Sequence, residues 1–155
     1  TREDLFEGEA EYDTIAQIVA SVRIPVWANG DVDSPAKAAQ VLRGTGAAGL
    51  MIGRAAQGRP WIFREIAQYL ATGAFLPEPS LAEVRALLLS HLDGLYALYG
   101  EAQGVKFARK HIRWYCQDRP GREAFWREVS RIGDARTQRA CVETFFSGGA
   151  LAAAA

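Results

Sequence analysis

Two short runs of unbroken apolar residues, each stopped by a glycine turn and set between stretches of helical periodicity, restrict what this chain can fold into. Ile24-Pro25-Val26-Trp27-Ala28 stops at Asn29-Gly30-Asp31, and Ala47-Ala48-Gly49-Leu50-Met51-Ile52 stops at Gly53-Arg54. Apolar residues at every position, rather than at alternate ones, predict a strand buried on both faces, as in a parallel sheet. Pro25 falls at the start of the first run, where its missing N–H is tolerated. Ahead of that run, Glu11 to Val22 places Ile15, Ile18, Val19 and Val22 on one helical face. Between the runs, Asp33 or Ser34 before Pro35 supplies an N-cap and first turn for a helix through Leu42, which Gly44 to Gly46 ends. After the second run a short Ala-Ala-Gln turn leads to a helix opened by Pro60. Helix, strand, helix, strand, helix is the order of parallel βα units and assigns this part to the α/β class.

Leu76-Pro77-Glu78-Pro79-Ser80 is a stiff, extended break, and strand signals vanish beyond it. A domain boundary is expected there. Downstream the periodicity predicts helices over Ser80 or Leu81 to Tyr99, Ala102 to about Gln117, Arg122 to Ile132 and Asp134 to about Phe146, separated by Gly100, Pro120-Gly121 and Gly133. Ser80 followed three residues later by Glu83 forms a capping box. Residues 149–155 are expected to be a disordered tail.

With 155 residues, 49% hydrophobic and 23% charged, the composition is that of a globular protein, and no run nears the roughly 18 apolar residues of a membrane span. Eighteen basic and eighteen acidic side chains cancel over the whole chain. They do not cancel locally: residues 1–79 carry 7 basic and 10 acidic groups, residues 80–155 carry 11 and 8. The positive charge belongs to the helical part. Cys116, Cys141, His91 and His111 are too few and too scattered for a disulfide framework or a metal site, and a reducing, cytoplasmic setting is expected. The first residue is Thr1 with no apolar leader after it, and the natural start is expected to lie elsewhere.

Two constellations carry chemistry. In parallel β/α folds ligands collect at the carboxyl ends of strands, where backbone N–H groups and helix starts attract anions. Asn29-Gly30-Asp31 and Gly53-Arg54 stand at such ends in successive units. The stretch Gly53 to Gly58 has the form of a phosphate loop, with glycine for close backbone approach and arginine for charge. The same residues serve equally well as turn and capping residues, so both readings stay open. On the helix from Ala102, Lys106, Arg109, Lys110 and Arg113 fall within an arc of roughly 100°, opposite Phe107, Ala108, His111, Ile112, Trp114 and Tyr115. No acid interrupts this stripe, and Arg119 and Arg122 extend it. It predicts a salt-sensitive contact with RNA phosphates, the alternative being an ordinary solvated face. His91 and His111 read as core histidines, the aromatic residues as core, and both cysteines as small buried hydrophobes.

In this order, the segments Ile24 to Asp31, Leu50 to Phe63, Ala108-Arg109-Lys110-His111 and Trp114-Tyr115 resemble the flavin-dependent tRNA-dihydrouridine synthases, in particular the bacterial B-type, from Gly8-Glu9-Ala10 to about Phe146. The resemblance implies the C-terminal portion of an FMN-binding (β/α)₈ TIM barrel over residues 1–76, then an all-α tRNA-binding domain over 80–148. It implies reduction of tRNA uridines to 5,6-dihydrouridine, with NADPH as the hydride source, by a cytoplasmic enzyme that is monomeric when full length. Carried over by motif, Asn29, Gly30 and Asp31 would lie at the flavin, and Gly53 and Arg54 would hold its phosphate. Lys106, Arg109, Lys110 and Arg113 would face tRNA. Thr1-Arg2 looks like what remains after the sixth strand. The family's acid is a cysteine in the first half of the barrel, which is absent here. Neither Cys116 nor Cys141 matches it, no catalytic residue is assigned, and the isolated piece is expected to be inactive. Another FMN barrel, such as a dihydroorotate dehydrogenase relative, or a non-catalytic RNA-binding helical module would share parts of these patterns.

Overall fold

The computed structural model describes residues 10–148. The tail over 149–155, the Thr1-Arg2 remnant and the Gly8-Glu9 start of the resemblance lie outside the described residues. The chain divides after Pro77 into two compact units.

The first unit runs α1 (Tyr12–Ser21), β1 (Trp27–Asn29), α2 (Pro35–Thr45), β2 (Gly49–Met51), a single 3₁₀ turn (Arg54–Ala56) and α3 (Ile62–Thr72). The strands pair in parallel, with Trp27 opposite Gly49, Ala28 opposite Leu50 and Asn29 opposite Met51. Ser34 Oγ accepts from the Lys37 N–H with Pro35 just behind it, and Gly46 closes α2 in the left-handed conformation. Pro60 does not open α3 itself. It sits in a tight turn in which the Ile62 N–H donates to the Arg59 carbonyl, and the helix starts two residues later than expected.

The core of this unit is Ala28, Val32, Ala38, Val41, Ile62 and Ile66, with Ile15, Leu50 and Ile52 packed against it. Side chains alternate along a strand, so Ala28 turns toward the helices while Trp27 and Asn29 take the other face. Burial of both strands on both faces is therefore not found: Trp27 is 58% and Met51 61% exposed, and Ile24 lies outside the strand at 73%. Among the described residues the helices cover one face of the pair only. Trp27 lies over Gly49, where a Cβ would come within 2.6 Å of its indole nitrogen.

The second unit begins with α4 (Leu81–Tyr115), whose N-terminus carries the Ser80–Glu83 capping box. At Gly100, φ 71° and ψ 163° break the helix, and its arms over 81–99 and 101–115 fold back on each other. Tyr99 meets Phe107 at 4.7 Å between ring centroids, and His91 meets His111 at 4.6 Å. The arms approach closely enough that a Cβ on Gly104 would lie 2.9 Å from the Leu95 carbonyl oxygen. Two further helices follow, α5 (Arg122–Val129) and α6 (Ala135–Phe146), the latter N-capped by Asp134. Helix α6 packs across both arms. Its wholly buried Gln138 accepts from the Tyr96 hydroxyl at 2.8 Å on one arm and donates to the Val105 carbonyl at 3.2 Å on the other. Leu88, Leu92, Ile112, Phe125, Val142 and Phe146 fill the rest of this core.

Candidate functional site

The register that sets Asn29 against Met51 brings the two glycine turns to the same end of the strand pair. There they line an open cleft of about 540 Å³ formed by residues 29–33 and 51–55. Three polar groups of the first turn are tied down. The Asn29 amide donates to the Met51 carbonyl at 2.9 Å, the Tyr12 hydroxyl donates to the Gly30 carbonyl at 2.8 Å, and the Ala10 N–H donates to Asp31 Oδ2 at 2.9 Å. Asp31 adopts a φ of 47°, a conformation that aspartate tolerates better than most residues. Its second carboxylate oxygen accepts from Arg54 Nη2 at 2.8 Å, so one turn orients the cation of the other. Arg54 remains 61% exposed in the side chain at the cleft wall.

The glycines differ in what requires them. Gly30 has φ 126°, and a Cβ there would come within 2.4 Å of the Ala10 Cβ, so packing within the chain demands glycine. At Gly53 an added Cβ would meet nothing within 4 Å among the described residues. A second tie lies behind the cleft. Arg59 donates to the buried Glu65 at 2.6 Å and to the Asp33 carbonyl at 3.2 Å, joining the loop after β1 to α3. Sequence reasoning missed Tyr12, Arg59 and Glu65. Their roles depend on partners 6 to 26 residues away, which no local pattern reveals.

In the helical unit the stripe is three cations rather than four. Lys106, Lys110 and Arg113 are exposed and form no ion pair among the described residues. Arg109 is half-buried and turns inward to donate to the Ile132 carbonyl at 3.1 Å, its Nε buried without a partner. A carbonyl left over where the chain leaves α5 draws the guanidinium off the exposed face. Phe107, expected on the packed side, is 42% exposed. Of the proposed extensions, Arg119 is half-buried with its guanidinium 4.7 Å from the Phe146 ring centroid, and Arg122 pairs with Glu123 at 3.3 Å.

Burial also sets the histidines and cysteines of this unit. Burial, the neighbouring His91 and Lys110 push the His111 pKa down to about 4, and burial lowers that of His91 as well. Both rings are therefore neutral near pH 7. Burial pushes the thiols of Cys116 and Cys141 up to about 12, so neither is a ready acid or nucleophile. Among the described residues no helix is long and apolar enough to cross a membrane, and no group of three or more metal-ligating side chains gathers.

Residues 1–148 match the dihydrouridine synthase (Dus) family. The chain is 58% identical over 146 residues to tRNA-dihydrouridine synthase B of Xanthomonas campestris, covering 94% of this chain and 44% of that protein. It is 56% identical over 147 residues to the protein of the same name from Pseudomonas putida, covering 95% and 44%. The Escherichia coli counterpart is 53% identical over 146 residues, covering 94% and 46%. The chain thus spans less than half the length of the curated relatives it matches, and on the extent of these matches it belongs to the dihydrouridine synthase family.

Proposed function

We propose that this chain is the C-terminal portion of a cytoplasmic, FMN-dependent tRNA-dihydrouridine synthase. Residues 1–76 would form the last βα units of its (β/α)₈ barrel and residues 80–148 its tRNA-binding domain. The observation that carries the reading is the parallel register that joins both glycine turns in one cleft, with Asp31 holding Arg54 at its wall. Anions gather at that end of a β/α barrel. Uncovered Trp27 and Met51 support further strands and side chains on that face, since two strands cannot close a barrel. The names of the relatives support tRNA uridine as substrate.

The residues present fit a flavin phosphate. Open space stands where a Gly53 side chain would be, and the Arg54 guanidinium is oriented yet exposed. Gly53 and Arg54 would hold the phosphate, while Asn29, Gly30 and Asp31 would shape the adjoining wall. Bound FMN would supply hydride chemistry for the uracil 5,6 double bond, with NADPH as its source of reducing equivalents. This chain's own share is binding and orientation, and no residue in it is assigned as the acid. A small-molecule flavin oxidoreductase has no use for the exposed, acid-free Lys106, Lys110 and Arg113, which favours the tRNA reading.

Two titrations test this. Arg54→Ala should weaken FMN binding about 10- to 100-fold, because a charge-assisted contact to phosphate is worth about 1.5–3 kcal/mol. Retention of tRNA should fall with salt, the slope easing by about 0.9 for each of Lys106, Lys110 and Arg113 replaced by alanine. Unaltered flavin affinity would remove Arg54 from the phosphate site. Affinity for tRNA that is independent of salt would overturn the RNA reading.

A further inference from the structure

Where the second arm of α4 meets α5, the helical unit holds a small pocket of about 150 Å³, lined among others by Arg113, Cys116, Arg122, Phe125 and Trp126. That volume has room for one six-membered ring. Its walls combine an apolar floor, the buried Phe125 and Cys116, with two guanidinium groups. The Arg113 guanidinium lies over the half-exposed Trp126 ring, 5.2 Å from its centroid, so cation and indole form one stacked part of the lining. On the same helical face, one turn back, Lys110 sits 5.8 Å from the Trp114 ring. Arg122 and Glu123 pair across the lining at 3.3 Å, and Arg122 also donates to the Gln117 carbonyl, so the net positive charge of the lining rests on Arg113. A recess with an apolar floor and room for one ring, a guanidinium–indole stack and a nearby lysine suit an unstacked base with a flanking phosphate. A duplex, whose bases are already stacked and turned inward, has nothing to place there.

We propose that this pocket is a subsite for a single unpaired nucleotide of RNA, its base laid against the Arg113–Trp126 stack and a neighbouring phosphate facing Lys110. The inference rests on the RNA reading above and narrows it from charge attraction to recognition of a loop. Fluorescence anisotropy with the full 155-residue chain tests it. The probes are a labelled uridine decamer and a blunt RNA duplex with the same number of phosphates, each followed over a range of salt. The decamer should bind more tightly than the duplex. Trp126→Ala should weaken decamer binding about tenfold with the salt slope unchanged, while Trp126→Phe keeps most of the affinity. Lys110→Ala should instead lower the salt slope by about 0.7. Arg113→Gln, which leaves Trp126 in place, should lose both affinity and slope and stands in if Trp126→Ala disturbs the fold. Decamer binding that survives both Trp126→Ala and Arg113→Gln, or equal binding of duplex and decamer, overturns the subsite and leaves the RNA reading standing. Failure of the unmodified chain to bind either probe or tRNA overturns both.

Discussion

Gln138 is the joint on which the helical unit turns, and replacing it gives a prediction whose size follows from the structure. The side chain is wholly buried, accepts from Tyr96 on one arm of α4 and donates to Val105 on the other. Burial, with Asp93 nearby, pushes the Tyr96 phenol up to about 12, so its hydroxyl remains a donor at every working pH. Gln138→Ala removes two hydrogen bonds at about 1 kcal/mol each. It also removes a buried methylene worth about 0.8 kcal/mol and leaves a cavity. The total is about 3 kcal/mol, which for a unit of this size lowers the midpoint by about 12–24 °C. Gln138→Leu keeps the volume but strands the two partners, and should cost about 1–2 kcal/mol. Tyr96→Phe added to Gln138→Leu should then cost less than Tyr96→Phe alone, with a coupling of about 1 kcal/mol. Urea unfolding followed by far-UV circular dichroism measures all four proteins. If Gln138→Ala costs less than about 0.5 kcal/mol, or the double variant shows no coupling, the amide is not what ties α6 to the hairpin.

The His91–His111 pair makes stability depend on pH. Because the folded pKa of His111 lies at about 4, below the ordinary 6.5, the unfolded chain takes up its proton first. Stability is therefore complete above pH 6.5 and is lost as pH falls from there toward 4, by about 1–2 kcal/mol once solvent screening of the half-exposed ring is allowed for. His111→Phe should flatten that slope in urea titrations, and an unchanged slope would place the effect elsewhere. The two turn glycines should separate folding from binding. Gly30→Ala meets both a positive φ and the Ala10 side chain and should destabilise the first unit by about 2–3 kcal/mol, whereas Gly53→Ala should alter thermal stability by less than about 1 kcal/mol while weakening FMN uptake. Arg109→Ala should lower stability by about 1 kcal/mol through its lost bond to Ile132 and leave the salt slope of tRNA binding unmoved, the reverse of Lys106→Ala. A reduced slope in Arg109→Ala would restore it to the exposed face.

What could be read along the chain was whatever local spacing dictates. The capping box at Ser80 and Glu83, the Ser34-Pro35 helix start, the breaks at Gly46 and Gly100 and the two strands follow from backbone chemistry within a few residues and have counterparts in the structure. The helix expected to run from Arg122 to Ile132 instead ends at Val129, short of Gly133. The strand-end turns could be found for the same reason: a chain that stops a strand with Asn-Gly-Asp or Gly-Arg announces the turn in its own composition. Tertiary structure alone decided the rest. Arg109 carries the spacing of an exposed cation, yet a leftover carbonyl at Ile132 draws it inward. Trp27 and Met51 carry the pattern of a doubly buried strand, yet the helices cover one face. The Asp31–Arg54 and Arg59–Glu65 pairs, the Gln138 strut and the Arg113–Trp126 stack join groups from different elements. Periodicity reports which way a side chain points from its own element. Which partner waits there depends on how the elements pack, and a one-dimensional pattern does not contain that.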